Sequence, residues 1–194
     1  MSTEDLKMEL ARLKKEKAAF QAQSALFEKF ISMARSPDEP EVIKSMLRET
    51  IEISIELTGA ELGSLILLDS NGVVVDSILC RGEISPELSS ALVESVLKKG
   101  LAGWVIRHGK IGLVTDTTRD DRWLVFPDQP YSAGSALALP IISGEMQLGI
   151  LILMYSKPDH FTQDIVELRP LFHGLLVWVV PTVSSSQQKF LSVV

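Results

Sequence analysis

Two β-hairpins place the strongest constraint on how this chain of 194 residues can fold. The first joins apolar runs at 64–69 and 73–80 through Asn71-Gly72, a pair that favours a tight turn because both residues tolerate positive φ. The second joins 137–142 to 146–155 through a short turn that contains glycine. Strands joined in this way are antiparallel neighbours. We therefore expect a mostly antiparallel sheet of five or six strands.

Segments with helical periodicity lie before, between and after these strands. Apolar residues at helical spacing predict helices at 41–58, 86–99 and 163–180, and a shorter helix that ends at Gly109. The run 111–115 adds a further strand between the two hairpins. Helices that are segregated from an antiparallel sheet define the α+β class. The expected fold is therefore α+β.

A heptad pattern near the N-terminus indicates a long helix with a seam for a partner helix. Lys17 and Ser24 occupy seam positions and weaken the pattern. The seam can serve a coiled-coil homodimer or can pack back on its own domain, and the sequence leaves both open. The candidate interface residues, including two from the C-terminal helix, are Leu6, Leu10, Leu13, Phe20, Phe27, Ile31, Leu175 and Trp178.

Charge and composition exclude several classes of protein. The net charge of -6 argues against a nucleic-acid surface, which needs clustered Lys and Arg. The single cysteine, Cys80, cannot form an internal disulfide, and the N-terminus does not resemble a secretory signal. The longest apolar run, 171–183, contains Pro181 and is shorter than the roughly 20 residues that cross a bilayer. We expect a cytoplasmic protein without a membrane span.

The chain offers little that indicates catalytic chemistry. Cys80 stands alone in an apolar strand, where a cysteine is more often part of the core than a nucleophile. His108, His160 and His173 lack the spacing of metal ligands. The segment 103–110 departs from the spacing of a phosphate-binding P-loop. We therefore predict neither catalytic nor metal-binding residues.

The acidic stretch 116–121 has two interpretations. Its carboxylates could meet around a hard cation or contact a ligand. However, Arg119 and Arg122 lie among them, so local capping and ion pairing around a buried Trp123 explain the pattern more simply. Asp116 is kept as a candidate ligand contact.

The loop after this stretch is rich in aromatic residues. Trp123, Phe126 and Tyr131 occur within nine residues and are interleaved with prolines. Aromatic side chains on a stiff loop can cover an apolar ligand pocket. They can equally close the open face of the sheet with no ligand beneath them. The sequence favours neither interpretation decisively.

Taken in order, these motifs resemble those of the GAF domain family, whose members are sensory modules of signalling proteins. The resemblance covers about residues 40–180. It rests on short motifs at 58–65, 100–105, 114–116, 120–123, 137–141, 148–153 and 160–162. It implies the strand order 2-1-5-4-3, a pocket on one face of the sheet and terminal helices on the other. Those helices often form parallel dimers that pass a signal to an effector domain.

The resemblance also implies a set of pocket residues and, together with the heptad pattern, a division of the chain. The division is an N-terminal coiled-coil helix at 1–38, the GAF domain at 39–183, and a tail or the start of a linker to an output module at 184–194. The implied pocket residues are Trp104, Asp116, Trp123, Phe126, Tyr131 and Leu137.

Function follows from the resemblance as an expectation. We expect a non-enzymatic sensor that forms a homodimer and relays a small-molecule or partner signal to an effector module, such as a histidine kinase, cyclase or phosphatase, in bacterial signalling. The cofactor is unknown, and covalent bilin is not expected because residues 100–140 contain no cysteine to anchor it. The alternatives are a ligand-free docking scaffold and a methionine sulfoxide reductase, although that enzymatic branch uses several cysteines.

Overall fold

The computed structural model describes residues 40–69, 71–82, 86–126, 131–143 and 145–166. It also describes six helical positions near the N-terminus, which are Lys7, Glu9, Leu10, Leu13, Lys14 and Lys17. The other six candidate interface positions lie outside the described residues, as do the tail and the predicted C-terminal helix beyond Val166; the positions are Leu6, Phe20, Phe27, Ile31, Leu175 and Trp178. Within the described ranges, no helix is long and apolar enough to cross a membrane.

The described chain forms four helices and five strands in its main part. In chain order they are α1 (Pro40–Thr58), β1 (Leu62–Leu68), β2 (Val74–Cys80), α2 (Pro86–Lys98), α3 (Leu101–His108), β3 (Gly112–Val114), β4 (Ser135–Ser143), β5 (Met146–Tyr155) and α4 (Gln163–Val166). The strands make one sheet in the order β2-β1-β5-β4-β3, and every neighbouring pair is antiparallel. The predicted α+β class and strand order are confirmed.

The first hairpin forms as its sequence predicts. Gly72 has a φ of 77°, which is strained for residues with a side chain. The carboxylate of Asp69 accepts hydrogen bonds from the backbone N–H of Asn71 at 2.9 Å and of Val73 at 2.8 Å. The side chain thus satisfies the polar backbone of the turn and fixes where β2 begins.

Helix α1 covers one face of the sheet. Leu47, Ile51 and Ile55 recur on one side of the helix and are almost completely buried against alternate residues of the strands. Cys80, at the end of β2, belongs to this same apolar cluster. Phe161, which follows β5, is fully buried in it. This side of the sheet is therefore a packed core.

His160 joins the end of α1 to the segment after β5. Its Nε2 donates a hydrogen bond to the carbonyl oxygen of Thr58 at 2.9 Å. Its ring stacks on Tyr155 with centroids 3.8 Å apart. These contacts join the C-terminal end of α1 to the end of the central strand, β5.

Helices α2 and α3 cover the opposite face. Leu101, Ala102 and Val105 of α3 are buried against the side chains that the strands present to this side. Alternate residues of a strand point to opposite faces. Both faces of the central strand β5 are covered, so the strand is apolar almost throughout. The two faces therefore carry separate apolar clusters, and the second one contains the candidate site.

Candidate functional site

A small, partly open cavity lies between the sheet, α2, α3 and the loop that follows β3. Its volume is about 80 Å³. Its described lining is mostly apolar, with two serine hydroxyls, one phenol and one charged side chain. The lining residues are Ser64, Ile66, Ser77, Ile78, Leu79, Leu92, Val93, Val96, Leu101, Ala102, Arg122, Trp123, Leu124, Phe126, Tyr131, Ile152 and Met154.

Strand register explains the floor of this cavity. Ser64 of β1 pairs with Ile152 of β5 on one side and with Leu79 of β2 on the other. Directly paired residues of antiparallel strands project from the same face of a sheet. Ser77 of β2 pairs with Ile66 of β1, so these two side chains project from the same face as Ser64. The floor is therefore apolar with two hydroxyl groups.

Arg122 makes several oriented contacts at the side of the cavity. Its Nε donates to one carboxylate oxygen of Asp120 at 2.9 Å, and its Nη2 donates to the other at 2.6 Å. The same Nη2 donates to the carbonyl oxygen of Leu113 in β3 at 2.9 Å. The guanidinium also lies over the ring of Trp104, with its central carbon 4.7 Å from the ring centroid. Four contacts from three segments of the chain thus orient one cation.

The ion pair shifts both of its members toward their charged forms. Hydrogen bonds from the Arg122 side chain lower the pKa of Asp120 although partial burial opposes this. The hydrogen bond with Asp120 raises the pKa of Arg122. The side chains are 21% and 29% exposed, respectively. Both groups therefore stay charged at neutral pH.

Trp104 supports Arg122 and is not among the residues that line the cavity. Its ring stacks on His108 with centroids 4.5 Å apart. His108 Nδ1 donates to the carbonyl oxygen of Trp104 at 2.8 Å, and Gly109 ends α3 with a φ of 60°. His108 therefore has a structural partner at the end of its helix.

The three aromatic residues of the loop come together. Trp123, Phe126 and Tyr131 all line the cavity. Burial raises the pKa of the Tyr131 phenol. Trp123 is only partly buried, and not fully buried as expected; it packs against the apolar cluster of this face and lines the cavity.

Besides Trp104, two other predicted pocket residues do not line the cavity. Leu137 is fully buried in the cluster beneath α1, on the opposite face of the sheet, because it pairs with Leu153 while Ala136 and Ala138 face the cavity side. Asp116 accepts hydrogen bonds from the backbone N–H and hydroxyl of Thr118, which lower its pKa. It caps a turn beside a separate polar depression and does not line the cavity.

Arg122 is the functional candidate that sequence reasoning missed. Its position next to Trp123 and two residues after Asp120 indicated ion pairing, which the structure has, but not a place in the cavity wall. Ser64 and Ser77 were also missed. The available signal was a polar residue within each strand, Ser64 in the apolar run of β1 and Ser77 after Asp76 in β2, since polar residues on a strand between two covered faces need a reason.

Cys80 does not line the cavity, and the described acidic residues form no candidate metal site. Cys80 is buried in the cluster beneath α1, its sulfur lies 3.9 Å from the carbonyl oxygen of Arg48, and burial raises the pKa of its thiol. Among the residues that the structure describes, no group of three or more His, Cys, Asp and Glu side chains could hold a metal ion.

Comparison with known proteins places this geometry in a family. The family model described as GAF domain matches residues 41–172, which is more than half of the chain. The chain belongs to the GAF domain family. In this GAF domain, the cavity lies under α2 and α3, and α1 lies on the opposite face of the sheet. No curated protein sequence matches the chain at a significant level.

Solved structures of related architecture share the fold at low sequence identity. The GAF domain of an Acinetobacter phosphoenolpyruvate-protein phosphotransferase is 16% identical with a TM-score of 0.60, covering 95% of this chain and 97% of that one. The corresponding domain from Coxiella burnetii is 15% identical with a TM-score of 0.59, covering 88% and 97%. The free methionine-R-sulfoxide reductase of Neisseria meningitidis, in complex with its substrate, is 16% identical with a TM-score of 0.62, covering 90% and 91%.

Proposed function

We propose that this GAF domain is a non-enzymatic, cytoplasmic sensor module that binds a small molecule and relays its presence through a homodimer of terminal helices. The observation that carries the proposal is the apolar cavity with one oriented cation in its wall. The output is a bacterial effector module such as a histidine kinase, cyclase or phosphatase. GAF domains from two phosphoenolpyruvate-protein phosphotransferases have the same fold, which supports a regulatory role beside a larger enzyme.

The dimer is supported by the exposed side of the N-terminal helix. Leu10 and Leu13 are helical and are 54% and 50% exposed in the single chain. Both occupy the heptad seam, so a second copy of the helix would bury them. We expect Leu13→Glu to shift the protein toward monomer in size-exclusion chromatography with light scattering. The matched change Lys14→Glu, on the neighbouring exposed position, should leave the dimer intact; equal behaviour of the two variants would refute the seam.

Signal relay requires that the cavity and the helical seam be coupled. A ligand shifts a conformational equilibrium only by its different affinities for the two states. Ser64→Leu fills the floor of the cavity and so imitates occupancy. In a Cys80→Ala background, a cysteine placed at Leu10 reports on the seam through disulfide crosslinking between subunits. We expect Ser64→Leu to change the crosslinking rate and the exposed control Ser132→Leu to leave it unchanged. No change with Ser64→Leu would refute the relay.

A ligand-free docking scaffold is the second candidate. The cavity volume of about 80 Å³ is well below the roughly 300–1,000 Å³ of pockets that hold drug-sized ligands. Trp123, Phe126 and Tyr131 already occupy part of the space under the loop. A scaffold would keep its dimer when the cavity is filled, with the same crosslinking rate.

A sulfoxide reductase is disfavoured by the position of the thiol. Several neighbours of this fold are free methionine-R-sulfoxide reductases. Here the single cysteine of the sequence is buried on the face opposite the cavity. A thiolate is the reactive form of cysteine, and burial disfavours it. We expect no turnover of free methionine sulfoxide; turnover that Cys80→Ser abolishes would overturn the non-enzymatic assignment.

A further inference from the structure

We infer that the ligand of this cavity is a short-chain aliphatic monocarboxylate whose carboxylate is bound by Arg122. The inference rests on the proposed sensor function and names the chemistry of its ligand. It comes from three features of the described residues: the size of the cavity, its apolar lining, and the hydrogen bonds that Arg122 leaves unmade.

The size of the cavity limits the ligand to a few carbon atoms. An apolar cavity of roughly 150 Å³ can hold benzene. The cavity here measures about 80 Å³, so by that comparison it has room for a hydrocarbon tail of roughly three carbon atoms. A nucleotide, a tetrapyrrole or a sugar phosphate exceeds this volume.

The lining selects an aliphatic body. Leu92, Val93 and Val96 of α2 face Ile152 and Met154 of β5 across the cavity. Burying a hydrocarbon chain among such side chains is favourable in proportion to the apolar area removed from water. Ser64 and Ser77 on the floor are only partly buried, so their hydroxyls keep access to water.

Arg122 selects the head group. It is the one charged side chain among the described residues that line the cavity. Asp120 and the carbonyl of Leu113 engage its Nε and Nη2, and Nη1 makes no hydrogen bond within the described part of the chain. Nη1 therefore offers two N–H donors on a guanidinium that is already oriented, and a carboxylate is the acceptor that such a group binds most strongly.

The absence of other charged lining residues in the described ranges narrows the class further. A zwitterionic amino acid would bring an ammonium group without a lining carboxylate to receive it, since both oxygens of Asp120 already bind Arg122. A dianion such as a phosphate monoester would bring two negative charges to a cavity whose one described cation, Arg122, already pairs with Asp120. A monocarboxylate adds the least negative charge of the anions considered, and it can accept a hydrogen bond from the remaining Nη1 donors of Arg122.

Titration of the purified wild-type protein with butyrate tests the inference. Its tail is a propyl group, and its neutral isostere butyramide has almost the same shape. By isothermal calorimetry we expect butyrate to bind roughly tenfold to a hundredfold more tightly than butyramide, because a hydrogen bond to a charged group is worth that factor. Equal binding of the two, or no butyrate binding at millimolar concentration, overturns the inference.

Two variants separate Arg122 from general electrostatic attraction. Arg122→Met should weaken butyrate binding by a similar factor of roughly ten to a hundred and leave butyramide binding unchanged. Arg119→Met is the matched control, because Arg119 is exposed and lines the separate polar depression. It should bind butyrate like the wild type; an equal loss in both variants overturns the assignment to Arg122.

Arg122→Met also removes the hydrogen bond to the carbonyl of Leu113 and can disturb the fold. A measurement on the wild-type protein therefore tests the location of butyrate without any substitution. In methyl NMR spectra, butyrate should shift the signals of Ile152 and Met154 and leave that of Leu139, on the opposite face, in place. Shifts confined to other sites overturn the inference. If butyrate fails while Ser64→Leu still changes crosslinking, the sensor proposal stands and only the ligand class is wrong.

Discussion

Replacing Gly103 by alanine tests the packing that shapes the cavity wall. Gly103 lies inside α3 and is buried. On helix propensity alone, the change should stabilise the protein by about 1 kcal/mol. However, a Cβ atom at this position would lie 1.8 Å from the carbonyl oxygen of Leu97 and 2.7 Å from its carbonyl carbon. The close approach of α3 to the end of α2 therefore requires a residue without a side chain.

The structure predicts the sign and size of the effect. Both clashing atoms belong to the backbone, so no rotamer change relieves the contact and the two helices must separate. Overpacking in a core costs about 1–3 kcal/mol, and the backbone clash places this case at the upper end. After the gain in propensity, we expect a net loss of about 2 kcal/mol, or roughly 4–8 °C in Tm for a chain of this length. Because Leu101 and Ala102 line the cavity, its shape should change as well.

Urea unfolding followed by far-UV circular dichroism measures this change. The protomer concentration must be equal for all variants, since dimerisation contributes to apparent stability. Gly109→Ala is the control: a Cβ there meets nothing within 4 Å, and only its φ of 60° opposes the change, at a cost of about 1 kcal/mol. If Gly103→Ala has an equal or higher urea midpoint than the wild type at an unchanged m-value, the packing argument is wrong.

Three further predictions concern single side chains. The lowered pKa of Asp120 means that its ion pair stabilises the fold above about pH 4, the ordinary value in an unfolded chain, and that this contribution is lost as the pH falls through the lowered value. Asp120→Asn should therefore flatten the acid part of a stability-versus-pH curve, and an unchanged curve would contradict this. His160→Phe keeps the stack on Tyr155 but loses the bond to Thr58, so chemical unfolding should show a loss of about 1 kcal/mol; an unchanged stability would argue against that bond. The thiol of Cys80 is buried, so a disulfide reagent should label it only at the rate of unfolding, and fast labelling of the folded protein would contradict its placement.

The elements of this fold could be predicted from local sequence, and their order in the sheet from a resemblance. Asn71-Gly72 fixes the first hairpin through its own conformational preferences, and helical spacing gives α1 and α2. These signals act over a few residues, so a single sequence contains them. The order 2-1-5-4-3 depends on long-range pairing and came from the family resemblance.

The facing of β4 shows what local sequence could not supply. Residues 135–142 are apolar or small throughout, so alternation does not tell which side faces α1. Register with β5 decides it: Leu137 pairs with Leu153 beneath α1, while Ala138 pairs with Ile152 on the cavity side. The family resemblance implied Leu137 as a pocket residue, whereas the register places it on the opposite face of the sheet.

Arg122 illustrates the same limit for the candidate site. Its pairing with Asp120 is local and could be predicted, because the two residues are close in sequence. Its hydrogen bond to the carbonyl of Leu113 and its position over Trp104 bring together β3, α3 and the loop. Only the folded structure places this cation in the cavity wall.

Native mass spectrometry of the protein purified without added ligand tests the central claim most directly, because it reports subunit number and retained small molecules together. For the wild type, the sensor account predicts a dimer that carries the extra mass of a small molecule, a dimer without that mass for Ser64→Leu, and a shift toward monomer for Leu13→Glu. A wild-type monomer with no retained mass, unchanged by either substitution, would contradict the account.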